Sequence, residues 1–118
     1  MERVLLLILA GTETHEGLGR LVNALEVAKE LKEKGYPVAL VFDGAGTEGL
    51  AALANPDHRA HPLFAAVADR VAGACHHCAG AFGVRASLAA LGQTLLDPYE
   101  DHPSLVGYLA EGYRVLTF

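Results

Sequence analysis

Apolar and polar positions along this chain alternate between two rhythms. "RVLLLIL" (Arg3–Leu9) and "VALVF" (Val38–Phe42) are unbroken apolar runs, the pattern of strands buried on both faces. Between them Leu18, Leu21, Val22, Leu25, Ala28 and Leu31 recur at helical spacing, with Arg20, Asn23, Glu26, Lys29, Glu30, Lys32 and Glu33 filling the polar side. This predicts an amphipathic helix from about Glu16 to Lys34. Gly35 stands where a helix C-terminal glycine belongs, and Pro37 cannot continue the helix. A strand, a helix and a strand at this spacing form a parallel crossover unit.

The second half repeats the alternation more weakly. "DGAGTEG" turns the chain, and "LAALA" is a short helix stopped at Asn55-Pro56. His61-Pro62 opens another helix with Leu63, Phe64, Val67 and Val71 facing inward, and a strand follows at Val71–Cys75. "GVRASLAAL" reads as a helix and Gln93–Leu96 as a strand. A last helix starts after His102 with Pro103 in its first turn, Gly112 ends it, and Arg114–Phe118 closes the chain as a strand. The predicted class is α/β: one domain, 1–118, with a five-stranded, mostly parallel sheet and helices on both faces.

Composition narrows the function classes. With 118 residues, 52% of them apolar and 19% charged, the chain can bury a core without staples, and disorder is excluded. So apolar a surface on so small a chain predicts a homo-oligomer. A net charge of −5 without a basic cluster argues against nucleic acid. No run reaches membrane-spanning length, so no membrane partner is expected. The opening "MERVLLLILAG" has the basic and apolar parts of a signal peptide but no small-residue cleavage site, and it reads better as the first strand. The expected location is therefore the cytoplasm, where two cysteines three apart serve reactivity or metal binding more often than a structural crosslink.

Three motifs carry candidate chemistry. Gly44, Gly46 and Gly49 spell G-x-G-x-x-G after a strand, but the helix behind them ends within about two turns and the next strand ends in Cys75 rather than an acid. That context excludes a dinucleotide, and no cofactor is expected; the turn, with Asp43 at its start, still lies where parallel strands line ligand crevices. His58 and His61 form H-x-x-H, while Cys75 and Cys78 form C-x-x-C, and the four together could close a tetrahedral zinc site. Alternatively the two thiols are reactive. Cys75 ends a strand, Cys78 falls in the first turn of the following helix, and both the helix terminus and His76 or His77 would lower a thiol pKa. The plainest alternative is a pair of buried thiols acting as small hydrophobes.

Four stretches, "CHHCAGAFGV", "FDGAG", "HPLF" and "HPSLVGYLAEGYRVLTF", together resemble the DsrE/DsrF-like family, most closely its small stand-alone members with C-x-x-C-A-x-A-F-G. The resemblance spans nearly the whole chain. It implies a flavodoxin-like winding of five strands, homo-oligomers, and a sulfur relay in which one cysteine accepts a persulfide sulfur from a donor protein and passes it to an acceptor protein. In the relay members that cysteine precedes by nine residues the valine of a Gly-Val pair; counted back from Gly83-Val84, it is Cys75. This chain departs from them in having Cys78 and in carrying Phe82 where they are usually basic. On this reading Cys75 loads sulfur and Cys78 resolves it or serves as a second carrier. His76 and His77 tune the thiolate, and His61 with the turn Asp43, Gly44 and Gly46 lies nearby. The alternatives are a binding module whose C-x-x-C holds a metal or an internal disulfide, and a purely structural oligomer.

Overall fold

Each apolar run becomes a strand in the computed structural model, which describes residues 2–118. The strands are β1 (Arg3–Ile8), β2 (Val38–Phe42), β3 (Val71–Cys75), β4 (Leu95–Leu96) and β5 (Tyr113–Thr117). The helices are α1 (His15–Glu33), α2 (Gly46–Leu53), α3 (His61–Val67), α4 (His76–Ala81), α5 (Arg85–Ala90) and α6 (Leu105–Ala110), with a 3-10 turn at Ala68–Arg70. Local chemistry explains the best-defined ends. The Thr14 hydroxyl accepts from the Gly17 N–H at 2.9 Å to cap α1. At the other end Gly35, at φ 81°, closes a Schellman turn in which the Tyr36 N–H reaches the Leu31 carbonyl. The last helix begins two residues later than expected, because the Ser104 hydroxyl rather than Pro103 caps it, accepting from the Gly107 N–H at 3.0 Å. Strand β4 is half its expected length.

All strand pairs are parallel, in the order β4-β3-β2-β1-β5. This order corrects the expected winding in one respect. In the flavodoxin order β1 lies between β2 and β3, whereas here it lies between β2 and β5. The first four strands are laid side by side in chain order, so the helices joining them gather on one face, and only the last connection returns along the other. The core divides accordingly. Val4, Leu6, Ile8, Leu40 and Phe42 pack under residues of α1 to α5, among them Leu21, Leu25, Leu53, Phe64 and Leu88. On the opposite face Leu5, Leu7 and Val41 meet Leu105 and Tyr108 of α6. Among the described residues helices thus lie on both faces, five on one and one on the other.

That asymmetry positions a crevice. The chain leaves β3 toward the five-helix face, where Ala79 of α4 joins the core, and leaves β4 toward the α6 face. Neighbouring strands whose exits diverge open a gap at their carboxyl ends. A register shift in β3 adjusts what faces it: Leu40 pairs with Val71 but Val41 pairs with Gly73, leaving one extra residue in β3. One such residue reverses the side-chain alternation beyond it. Ala74 therefore joins Phe42 in the five-helix core, and Cys75 turns the other way, toward the loop that follows β4. Gly73, at φ 151°, allows this close pairing, since a Cβ there would collide with the Thr94 carbonyl. Among the described residues no helix is long and apolar enough to cross a membrane.

Candidate functional site

Three adjacent strands deliver side chains to this crevice. Cys75 is the last residue of β3 and the N-cap of α4, where its sulfur accepts the Cys78 N–H at 3.3 Å. Asp43 follows β2; its Oδ1 accepts the Gly44 N–H at 2.8 Å and the Cys78 thiol at 3.2 Å. His102 arrives on the loop after β4, with Nδ1 3.2 Å from the Cys75 sulfur. One donor atom from each of Asp43, Cys75, Cys78 and His102 lies within 4.8 Å of all the others. The two cysteines are free; Cys75 is fully buried, and Cys78 is half-buried.

Burial reverses the expected effect on Cys75. Desolvation pushes its thiol up from the ordinary 9.0 to about 12, because a thiolate in this wall would lose its water. The Cys78 N–H pulls the other way, whereas the Cys78 thiol and the Asp43 charge add to the rise. The expectation of a low-pKa thiol at Cys75 is corrected on these grounds: one N–H bond from a six-residue helix does not offset loss of solvent.

The histidines divide differently from the sequence reading. His76 holds the Asp101 carboxylate at 2.7 Å, and the His77 ring lies against His102 with ring centres 4.9 Å apart. The His77 N–H also donates to the Asp101 carbonyl at 3.0 Å. The two rings thus fasten the Tyr99–His102 loop to the C-x-x-C segment. That loop is tight: Tyr99 and His102 exchange backbone hydrogen bonds, and Glu100 and Asp101 take left-handed conformations at φ 47° and 71°. Arg85 clamps the same corner by donating to the His76 carbonyl at 2.9 Å.

The H-x-x-H pair takes no part. His61 Nδ1 lies 2.7 Å from the Leu53 carbonyl at the far end of α2, and His58 Nδ1 accepts the Ala60 N–H at 3.1 Å. Helix α2 starts at the carboxyl edge and its eight residues carry the chain about 12 Å away. The set His58, His61, Cys75 and Cys78 is therefore not assembled, and His61 is not beside the thiols. The glycine turn does border the site. Gly44, at φ 51°, makes the bend; Gly46 lets α2 touch the Ile8 carbonyl, and Gly49 admits the Leu21 side chain. These are packing roles.

Asp101 and His102 were missed by the sequence reading. The signal was their position in the loop that follows a strand next to β3, but that strand is only two residues long. Beside their loop lies a cavity of about 290 Å³ lined by Leu96, Pro98, Pro103, Ser104, Gly107 and Tyr108, which borders the thiol site without containing it.

No protein-family model and no curated protein matches the chain. Among solved structures it is similar to a conserved protein of unknown function from Bacteroides thetaiotaomicron. The two are 19% identical, and the match covers 99% of this chain and 95% of that one at a TM-score of 0.67. The likeness is one of fold.

Proposed function

We propose that this chain handles sulfane sulfur, taking it up as a persulfide on the C-x-x-C pair in the manner its DsrE/DsrF-like motifs imply. One observation carries the reading: a reachable thiol, Cys78, and a buried thiol, Cys75, lie within 4.8 Å of each other, each with a proton acceptor in contact. Exposure reverses the order of the two thiols relative to the family alignment, and Cys78 is the one that receives sulfur. Asp43 accepts the Cys78 proton. The thiolate then attacks the outer sulfur of a donor persulfide, the donor S–S bond breaks, and the donor leaves as a thiol after taking a proton. Two exits follow. An acceptor thiolate can attack the outer sulfur of Cys78–S–SH and carry it away, restoring Cys78. Otherwise Cys75, yielding its proton to His102, attacks the Cys78 sulfur and expels hydrosulfide. That leaves a Cys75–Cys78 disulfide, which a dithiol reductant must reopen.

This reading includes donor and acceptor proteins, a homo-oligomeric state and the reducing cytoplasm, where free thiols persist. The test is intact-mass analysis of the reduced, metal-free protein after exposure to inorganic polysulfide. Cys75→Ser, which cannot resolve the persulfide, should gain sulfur removable by a thiol reductant; wild type should either gain the same sulfur or lose two hydrogens to the Cys75–Cys78 disulfide; and Cys78→Ser should gain none. Failure of Cys75→Ser to load, or loading of Cys78→Ser at the level of Cys75→Ser, would overturn it.

A further inference from the structure

We propose that Asp43, Cys75, Cys78 and His102 form a binding site for a divalent ion of the zinc class. This inference concerns the same side chains as the sulfur reading but does not rest on it, because metal binding is measured with no sulfur donor present.

The donor geometry is close to what the ion requires. A tetrahedral zinc ion with sulfur at about 2.3 Å and nitrogen or oxygen at about 2.0–2.1 Å holds its ligand atoms roughly 3.3–3.8 Å apart. Here Cys75 Sγ to His102 Nδ1 and Cys78 Sγ to Asp43 Oδ1 are both 3.2 Å, and no pair in the group exceeds 4.8 Å. Contraction by side-chain rotation closes the set. Two thiolates, an imidazole and a carboxylate select zinc, or cobalt(II) as its probe, over magnesium or calcium, which take oxygen shells.

The surroundings are arranged as metal ligands usually are. The Cys78 N–H already points at the Cys75 sulfur, and the Gly44 N–H holds Asp43 Oδ1. The His102 loop is fixed by the Asp101–His77 backbone bond and by the His77 ring. Such outer contacts orient ligands before the ion arrives. Charge points the same way. Asp43 is half-buried beside two sulfurs, and among the described residues no lysine or arginine pairs with it. On binding, both thiols give up their protons to solvent, and the ion's two positive charges face three negative ligands and a neutral imidazole. Four protein ligands around a buried sulfur leave no position open, so the ion would lock the thiols. A zinc-loaded chain then cannot accept sulfur on Cys78.

The test is titration of the reduced, metal-free full chain with cobalt(II). The expected result is one equivalent bound per chain, with the intense visible bands of a tetrahedral site, a sulfur-to-cobalt charge-transfer band in the near ultraviolet, and loss of both on adding zinc. His102→Ala and Asp43→Ala should each weaken binding by more than about tenfold. Cys78→Ser should remove about half of the charge-transfer band, since one of two thiolates is lost, and His58→Ala and His61→Ala should leave the spectrum unchanged. Circular dichroism checks that each variant is folded; Asp43→Asn and His102→Gln, conservative changes at half-buried positions, replace any alanine variant that is not. Absence of a charge-transfer band at equimolar metal overturns the site. So does binding that survives loss of both Asp43 and His102, or that depends on His58 or His61. Polysulfide loading of the metal-free chain is read separately, so failure of either proposal is visible without the other.

Discussion

Cysteine 75 should be one of the least reactive thiols a folded chain can present, and the extent is calculable. The perturbation is Cys78→Ser, which leaves Cys75 alone. Its thiol is raised from 9.0 to about 12, chiefly by desolvation, which the substitution leaves in place. Three units reduce the thiolate fraction near neutrality about a thousandfold. A more basic thiolate is intrinsically more nucleophilic, with a Brønsted slope of about 0.4–0.5, which returns about fifteen- to thirtyfold. The net retardation is about 30–60-fold from ionisation alone, before the reagent is excluded by burial. Removing the Cys78 thiol takes away two smaller contributions to the rise, its hydrogen bond and its charge, so the expected retardation lies at the lower end of that range. The assay is iodoacetamide labelling followed by intact mass, comparing the native variant with the same variant unfolded in urea. At about pH 8 the native rate should be at least roughly 30-fold lower, and it should keep climbing with pH beyond the point where the unfolded rate levels off. Native labelling within a few-fold of the unfolded rate would refute both the burial argument and the choice of Cys78 as the receiving thiol.

The same shift has a thermodynamic consequence. Below pH 9.0 Cys75 is protonated folded or unfolded; as pH rises from 9.0 toward about 12 only the unfolded chain ionises it, so stability is full below that window and falls through it. Cys75→Ser should lose this part of the alkaline decline in urea titrations run across that range. Gly46→Ala should destabilise by roughly 1–3 kcal/mol in thermal or urea unfolding, because a Cβ there meets the Ile8 carbonyl and α2 must move off β1; an unchanged midpoint would show that α2 is not seated as described. Sedimentation at micromolar concentration should show self-association, since Val106 and Leu109 of α6, with Tyr99 and Leu116, remain exposed on the side of the sheet that carries only one helix or on its β5 edge. A monomer alone would contradict it.

Periodicity was enough to read the elements, because it reports which face of a strand or helix is buried, and that is a local property. The runs Arg3–Leu9 and Val38–Phe42, the polar-apolar stripe of α1 and the Gly35 stop are all written within a few residues of where they act. The C-x-x-C at the end of β3 was legible for the same reason: a strand followed at once by a helix places its last residue at the carboxyl edge. Local pattern does not encode which loops meet. His102 joins the site only because β4, just two residues long, pairs beside β3, and its loop then bends back over Cys75 through two left-handed residues. His61 leaves the site because α2 carries it away, although its spacing matched a zinc ligand. Strand order and one extra residue in β3 turned Cys75 into the wall beside Asp43, and burial there, a property of everything packed around the sulfur, raised the thiol that sequence position alone would have lowered.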